Sequence, residues 1–375
     1  MLRGGTDFYS DFRPRKMAVS TADYPEGFYQ ETKITFQENN FDGLLTYNTT
    51  INKDISLIAN LGANQMDRKQ RTSINTANSL IIPGLYSLGN SKERPSVSAY
   101  GYHKRINSVY GNVLLDYKRT VFLDLSGRND WSSTLPEDKN SYFYPAITAS
   151  VLINEVANLP SYIDMLKIRG GGYAQVGNDT DPYNLRTTYS YGGFYGNYAL
   201  ISEESALKNK NLKPELITTI EGGLELMMFN NRLSVDLSWY QSDSKDQILN
   251  LQSTPTSGYG SQVINAGKLR NTGFELVLGA TPIKLSNGFE WNVNVNFATN
   301  RGKVLELAEG LDELVVSAPG EDAKMVAKVG ERLGQLYGPG FERVKEGPMK
   351  GEIIIGGEWV AGDDRRSYPV RKCKS

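Results

Sequence analysis

The chain has 375 residues, and its 41 basic and 42 acidic side chains give a formal charge of −1. This balance lacks the basic footprint of a nucleic-acid-binding protein, and no segment approaches the ~18 apolar residues of a membrane helix. One cysteine, Cys373, rules out an internal disulfide, and the one histidine, His103, leaves little for zinc or triad chemistry. We therefore expect no nucleic-acid partner, no metal, no cofactor and no catalytic residue.

Apolar and polar side chains alternate along much of the chain, which is typical of β-strands with two different faces. The pattern is clearest in Phe289–Phe297, where Phe, Trp and Val take every second position and Glu and Asn take the others. In chain order, alternation predicts strands within residues 54–64, 108–117, 120–130, 164–177, 219–229, 232–240, 273–280 and 288–300. A short helix is expected at Glu321–Leu333. The sequence therefore predicts an all-β fold.

The predicted connections differ in length in a regular way. Short turns, or a modest linker, are expected at residues 52–54, 118–119, 155–164, 230–232 and 282–288. Long polar segments are expected at 65–105, 127–141, 177–215 and 244–270. Because consecutive connections of an antiparallel sheet lie at opposite edges, this alternation places the short turns at one edge and the long loops at the other. Up-and-down membrane barrels have this asymmetry, with short periplasmic turns and long extracellular loops.

Strand length favours the membrane interpretation over a soluble sandwich. At ~3.3 Å per residue a 13-residue strand is roughly 43 Å long, and tilted by ~45° it rises about 30 Å, enough to cross a bilayer core. Soluble sandwiches use strands of ~5–6 residues. The apolar face would meet outer-membrane lipids, and the asparagine-rich face would meet water or a plug. These features predict an all-β, antiparallel up-and-down transmembrane β-barrel fold with long extracellular loops and short periplasmic turns.

Six segments carry a family resemblance. Residues 123–155 contain an Arg-x-Asp-x-Ser-Ser stretch at 128–133, a polar loop, and an aromatic-Pro strand at Tyr144 and Pro145 that runs to Glu155. This run resembles the SusC/RagA family of TonB-linked outer-membrane transporters. Five further segments resemble family motifs in the family's order, at residues 166–178, 209–226, 265–278, 289–307 and 328–338. We therefore divide the chain into a lead-in (1–29), a TonB-dependent receptor barrel segment (30–345) and an irregular tail (346–375).

The resemblance implies an importer of oligosaccharides or peptides in the outer membrane of a Gram-negative bacterium. A SusD-like lipoprotein would cap it and TonB would act on its plug, with no covalent chemistry. Family members are much longer and begin with a signal peptide, a small β-sandwich, a TonB-binding segment and a plug. We therefore expect an antiparallel up-and-down transmembrane β-barrel segment, an incomplete barrel, whose tail is truncated or frame-disturbed. The alternatives are a passive porin-like barrel, a β-rich surface binding protein or, less favoured, a soluble carbohydrate-active enzyme.

Aromatic residues in predicted loops are the candidates for ligand contact. Flat rings beside Asn and Gly can stack on sugar or peptide ligands, although they can also cover a barrel mouth or form an interfacial belt. The candidates are Trp131, Tyr189, Tyr191, Phe194, Tyr195 and Tyr198.

Two acidic residues leave a calcium site open as an alternative. Asp179 and Asp181 supply hard oxygen ligands of the kind that calcium prefers, but Asp is also common in ordinary loops. His103 is interpreted as a surface or lumen residue, because a lone histidine beside a strand is a weak signal for a metal site.

Overall fold

The structure, a computed structural model, describes residues 1–253, 255–317, 323–338 and 340, and the two short segments 359–361 and 367–369. For residues 172–178, 255 and 317 and for those two segments only the backbone is described. Among the described residues, no helix is long and apolar enough to cross a membrane.

The described chain is almost entirely strand, with three short 3-10 turns at Leu88–Asn90, Ile153–Glu155 and Pro255–Ser257. The strands in chain order are β1 (Leu2–Met17), β2 (Phe28–Asn52), β3 (Ile55–Ala77), β4 (Ser96–Tyr117), β5 (Val121–Ser132), β6 (Ser141–Leu152), β7 (Ile163–Asn178), β8 (Tyr189–Tyr195), β9 (Tyr198–Glu203), β10 (Ala206–Leu207), β11 (Glu215–Met228), β12 (Leu233–Lys245), β13 (Ile248–Gln252), β14 (Ser261–Asn265), β15 (Lys268–Lys284), β16 (Glu290–Glu306), β17 (Glu313–Ser317), β18 (Lys324–Lys328), β19 (Gln335–Tyr337), β20 (Trp359–Ala361) and β21 (Ser367–Pro369).

Eleven long strands form one up-and-down sheet in the order β1-β2-β3-β4-β5-β6-β7-β11-β12-β15-β16. Every neighbouring pair in this sheet is antiparallel. Its strands have 12 to 25 residues, well above the ~5–6 that are usual in soluble sheets. Within the described chain β1 and β16 do not pair with each other, so the sheet is open. The predicted fold class, an incomplete antiparallel barrel, is confirmed.

The two faces of this sheet differ in character. On the apolar face the register aligns one row of aliphatic side chains across five strands: Leu166, Leu226, Val235, Leu278 and Val295. On the polar face Thr46 Oγ1 donates to Asn60 Oδ1 (2.7 Å), and Asn60 Nδ2 donates to Asn112 Oδ1 (3.0 Å). Asparagine amides therefore satisfy one another from strand to strand on the polar face.

The connections also follow the predicted rhythm. Short connections cover residues 53–54, 118–120, 229–232 and 285–289, and we call that edge of the sheet the short-turn end. The linker 153–162 lies at the same edge and is the exception, because it is longer than the connection 133–140 at the other edge. Longer connections cover 18–27, 78–95, 133–140, 179–214 and 246–267, and that edge is the long-loop end.

Several boundaries predicted from the sequence were wrong. The segment 65–105, predicted as one long loop, is mostly strand, because its charged residues pair across strands, as in Arg68 with Glu38 (2.6 Å). The helix expected at Glu321–Leu333 is also wrong: Lys324–Lys328 is β18, which pairs with β17 and β19. The lead-in contains the full-length strand β1, and most of the predicted tail lies outside the described residues, apart from the paired strands β20 and β21.

Buried apolar clusters lie beside the loops, away from the middle of the sheet. Tyr29, Ala77 and Leu80 form one cluster at the long-loop end. Val304 and Ala327 belong to another, which joins β16 to the small sheet β17-β18-β19. The conventional core of this chain is therefore small, and the two faces of the main sheet are left for other surroundings.

Tyrosine rings on the polar face cover glycines of the adjacent strand. Tyr110 lies opposite Gly62, and Tyr240 lies opposite Gly273. A Cβ built on Gly273 would approach the Tyr240 ring to 2.5 Å and the Thr299 carbonyl oxygen to 2.7 Å. Only a residue without a side chain fits beneath the ring, so each pair helps to fix the register of its strands.

We predict that Gly273→Ala lowers the free energy of unfolding by about 1–3 kcal/mol, because the added methyl group meets backbone that cannot move aside. The matched control is Gly222→Ala in β11, where an added Cβ meets nothing within 4 Å. The control should leave stability unchanged or raise it by up to ~1 kcal/mol. Denaturant unfolding measures both, and equal effects would contradict the register argument.

Candidate functional site

Five of the six aromatic candidates lie together on the hairpin formed by β8 and β9. The hairpin turns at Gly196, whose φ of +59° suits glycine, and the register places Tyr191 opposite Ile201. The rings of Tyr191 and Phe194 meet edge-to-face with centroids 5.5 Å apart. The most exposed rings are those of Tyr195 and Tyr198, each 77% exposed. The hairpin thus presents an aromatic surface that the described residues leave uncovered.

Polar contacts anchor the base of the hairpin to a neighbouring loop. Tyr259 donates to Glu203 Oε1 (3.0 Å), and this hydrogen bond raises the pKa of the Tyr259 phenol. Directly after β9, the short strand β10 pairs in parallel with β14. Asn265, at the end of β14, accepts from the Lys213 amide (2.8 Å) and donates to the Lys213 carbonyl (2.8 Å). The loops 179–214 and 246–267 are therefore built as one unit.

The chain that leaves β7 is clamped to the polar face by Asp179. Its carboxylate accepts from Lys104 Nζ (2.6 Å), from Thr134 Oγ1 (3.1 Å) and from the hydroxyl of Ser132. The Lys104 and Asp179 side chains are 13% and 6% exposed, so this ion pair is largely desolvated. We call Lys104, Ser132, Thr134 and Asp179 the rim clamp.

The rim clamp engages the carboxylate of Asp179, one of the two acidic residues that leave a calcium site open as an alternative. A lysine ammonium already occupies the cation position beside its carboxylate, and Asp181 is exposed. Among the described residues, no group of three or more His, Cys, Asp or Glu side chains is arranged to hold a metal ion. The geometry around Asp179 is that of an ion pair.

Below the rim clamp, charged and aromatic side chains cross-link the polar face. Arg128 donates to Asp130 (2.8 Å) and to Ser108 (2.7 Å), and Tyr144 also donates to Asp130 (2.5 Å). The Arg128 guanidinium lies 5.6 Å from the centroid of the Tyr110 ring. This arrangement offers donors, acceptors and flat rings to a polar solute, and it contains no nucleophile paired with a base.

Trp131 does not join the hairpin. It was expected in a loop, and that is wrong: it lies in β5, because the polar residues after Leu125 continue to pair with β4 and β6. The register places it opposite Asn107, in line with Gln65 and Phe41 on the apolar face. Its contact with a ligand stays a prediction.

Sequence reasoning singled out Asp179 as a possible calcium ligand, but it missed the ion pair with Lys104 and the role of Asn265. Lys104 and Asp179 are 75 positions apart, and no local pattern links them. Asn265 stands next to a turn, where Asn is common for other reasons. The one available signal was the Arg-x-Asp-x-Ser-Ser stretch, because Arg128, Asp130 and Ser132 all enter these polar networks.

We predict that Asp179→Asn loosens the loop 179–214. The substitution leaves Lys104 desolvated without its counter-charge, and removing one partner of a buried ion pair typically costs about 3–5 kcal/mol. The matched control is Glu26→Gln, which breaks an ion pair with Lys92 that is at least half exposed and lies at the same end. Limited proteolysis should cut the loop 179–214 faster only in Asp179→Asn, and equal rates in both variants would refute the clamp.

The family model for the TonB-dependent receptor-like β-barrel matches residues 2–337. TonB-dependent receptor P26 of Formosa agariphila is 28% identical over 292 residues, which cover 73% of this chain and 29% of that protein. TonB-dependent receptor SusC of Bacteroides thetaiotaomicron is 25% identical over 225 residues, 57% of this chain and 22% of that protein. The chain thus spans less than a third of the length of these curated relatives.

Solved structures agree with this fold. The RagAB peptide importer in its closed-closed state gives a TM-score of 0.76 at 20% identity, over all of this chain and 41% of the importer chain. The RagAB peptide transporter gives 0.74 at 21% identity, over 88% of this chain and 37% of that chain. The resemblance to the SusC/RagA family is therefore confirmed. Members of the TonB-dependent receptor family are transporters and not enzymes. Since the family's β-barrel model matches most of the chain, this protein belongs to that family, and the matched residues correspond to its β-barrel domain.

Proposed function

We propose that this chain forms part of the barrel wall of a TonB-dependent importer in the outer membrane of a Gram-negative bacterium. The observation that carries the proposal is the open sheet of eleven long strands, apolar on one face and polar on the other. In a barrel of this family the apolar face meets lipid, and the polar face lines the interior around a plug. The short-turn end would then be periplasmic and the long-loop end extracellular.

The proposed cargo is an oligosaccharide or a peptide, taken up with a SusD-like lipoprotein as partner and TonB as the source of force. The relative named SusC and the structural neighbour described as a peptide importer support this class of cargo. The uncovered rings of the hairpin β8–β9 suit stacking on a sugar or on a peptide side chain. We propose Tyr189, Tyr191, Phe194, Tyr195 and Tyr198 as ligand contacts at the mouth, with Trp131 nearer to the lipid.

Placement of the apolar face in lipid predicts a sharp difference between two adjacent residues of β15. Leu278 is on the apolar face, whereas Val277 is on the polar face opposite Asp236 and Asn296. Leu278→Arg should cost about 2–4 kcal/mol in a bilayer, and Val277→Arg should cost much less because its guanidinium can reach water and Asp236. Unfolding of the reconstituted receptor measures both, and equal costs would reverse or refute the assignment of faces.

The importer hypothesis predicts a defect in uptake when the hairpin loses its rings. Tyr191→Ser with Phe194→Ser should raise the ligand concentration for half-maximal uptake roughly tenfold, at about 0.7 kcal/mol for each lost ring contact. The matched control is Tyr162→Ser, which removes an exposed ring at the short-turn end, where it stacks on Phe229. The receptor is expressed from its native locus and offered labelled oligosaccharides and peptides.

Three outcomes of that assay discriminate between functions. Uptake that disappears when TonB is deleted and weakens in the hairpin variant supports the importer with these ligand contacts. Uptake that continues without TonB supports the passive porin-like barrel. A half-maximal concentration that is the same in the hairpin variant and in the control refutes the proposed contacts.

A further inference from the structure

Strand β4 extends well beyond the end of its neighbour β5. The two strands pair until Ile106 meets Ser132, the last residue of β5. Toward its start β4 continues to Ser96, paired with β3 and without a register shift. We call residues 96–103 the free edge of β4, and at ~3.3 Å per residue they are about 26 Å long. Among the described residues, no strand pairs with the side of the free edge that faces away from β3.

Backbone amides of the free edge point toward this unpaired side. Arg105 marks the direction, because its amide donates to Ser133 Oγ (2.9 Å) directly after β5. The His103 amide points the same way and donates to the Tyr183 hydroxyl (3.3 Å). Since N–H groups alternate sides along a strand, the next three odd-numbered amides share this direction, those of Gly101, Ala99 and Val97. Within the described chain, no other segment forms a hydrogen bond with these three amides.

The free edge carries none of the features that usually keep an exposed strand from pairing with another. Proteins commonly block such edges with lysine, with proline or with a β-bulge. The stretch Ser96–Gly101 has no charged residue and no proline, and it pairs with β3 without a bulge. Its side chains are exposed, with Val97 at 72% and Tyr100 at 59%. The edge is therefore open to the addition of a strand.

The free edge lies outside the membrane, an argument that rests on the proposed function. Beyond the row that contains Phe41 and Trp131, the residues of β3 on the same face are all polar or charged: Asp67, Lys69, Arg71, Ser73 and Asn75. The apolar face of the wall has therefore ended before β4 reaches its free edge. A protein in the extracellular space can reach this part of the strand at the long-loop end.

Arg71 lies next to the free edge without a counter-charge. The register places it opposite Gly101, which has no side chain to separate the guanidinium from the unpaired side of β4. Arg71 is exposed, and among the described residues it has no ion pair within 4.0 Å. Its neighbours on the same face of β2 and β3 are Thr35, Lys69 and Ser73, none of them acidic. A carboxylate in a strand added beside β4 would supply the missing charge.

The wall shows the same arrangement where the next strand is present. Arg169 of β7 lies opposite Gly223 of β11, and a Cβ built on Gly223 would come within 2.6 Å of Arg169 Nε. The Arg169 guanidinium crosses this glycine and pairs with Asp236 of β12 (2.6 Å), two strands away. Arg71 and Gly101 repeat the arginine and the glycine of this series. The carboxylate is the part that an added strand would contribute.

We propose that the free edge of β4 takes up one strand of an acidic protein partner, with a carboxylate of that strand beside Gly101 and paired with Arg71. The added strand would satisfy the three odd-numbered amides, and its other face would pack on Tyr100. A second copy of this strand would not serve, because Ser96–His103 contains no Asp or Glu. A transported solute does not fit either, because the edge points along the wall and not into the interior.

The test titrates the receptor from its native locus, reconstituted in nanodiscs, with a synthetic octapeptide of alternating glutamate and valine that stands in for the partner strand. Ala99→Pro removes one amide of the free edge and leaves the pairing with β3 intact, because that amide points away from β3. The lost hydrogen bond and the added ring should weaken binding about tenfold. The matched control is Ala99→Val, which keeps the amide and should bind like the unmodified receptor.

A second pair of variants tests the charge. Arg71→Gln should weaken binding of the glutamate peptide about threefold, the scale of a solvent-exposed ion pair. It should not change binding of the same peptide with glutamine in place of glutamate. The matched control is Lys33→Gln, because Lys33 is exposed on the same face but lies on β2, one strand farther from the free edge.

Weaker binding in Ala99→Pro and in Arg71→Gln, with both controls unchanged, supports the docking edge. No binding of the peptide, or equal binding by Ala99→Pro and Ala99→Val, overturns it, and a loss in Ala99→Pro alone overturns the acidic character of the partner. Slow hydrogen exchange at residues 97, 99 and 101 in the receptor alone also overturns the proposal, because these amides would then be paired within the receptor.

Two further measurements separate the docking edge from the importer function. Cellular uptake of the labelled peptide that falls in Ala99→Pro would show a cargo site and overturn the assignment to a protein partner. Heat-modifiable migration of the same samples reports barrel folding. A folded barrel that fails the peptide tests refutes only the docking edge, whereas failure to insert counts against the importer as well.

Discussion

Pairing of long strands is the constraint on which the rest of this structure depends. Each backbone amide and carbonyl of a wall strand must find its partner in a neighbouring strand, and the two faces of the wall meet different surroundings. A slip of one residue would exchange the faces, placing asparagines where aliphatic side chains belong. The Tyr–Gly pairs at Tyr110–Gly62 and Tyr240–Gly273 oppose such a slip, because each ring has one glycine that it can cover.

Beyond the ends of the strands, hydrogen bonds and ion pairs hold the long loops in place. Among the side chains that the structure describes, the buried apolar clusters are small and lie beside the long loops, away from the middle of the sheet. Order at the long-loop end therefore depends on directional contacts. Examples are the two hydrogen bonds between the Asn265 side chain and the Lys213 backbone, and the rim clamp. Removing one partner of such a contact costs most where the pair is desolvated, as between Lys104 and Asp179, and least where water reaches it.

The sequence was sufficient for the fold class because alternation is local. Phe289–Phe297 shows its two faces without any knowledge of its neighbours, and so do the apolar rows of β12 and β15. Alternation failed where charges pair across strands: Glu38 and Arg68 look like loop residues one strand at a time, yet together they extend β2 and β3. The same limit concealed the rim clamp and misplaced Trp131. The grouping of the five aromatic residues between Tyr189 and Tyr198 could be predicted because they are close in sequence. The contacts of their hairpin with the loop 246–267 could not be predicted, because those residues are distant in sequence.

The rim clamp has a mechanical consequence. Neighbouring strands are ~4.8 Å apart, so β7 and β4 are about 14 Å apart across the sheet, and Asp179 bridges that span with one carboxylate. A load applied to the start of the loop is thereby carried into β4 and β5 and does not peel β7 from its neighbours. Beyond this tie the hairpin β8–β9 contains Gly193 and Gly196, whose φ values of +96° and +59° favour glycine. The loop 179–214 is thus tied to the sheet at its start, and the aromatic hairpin β8–β9 lies beyond that tie.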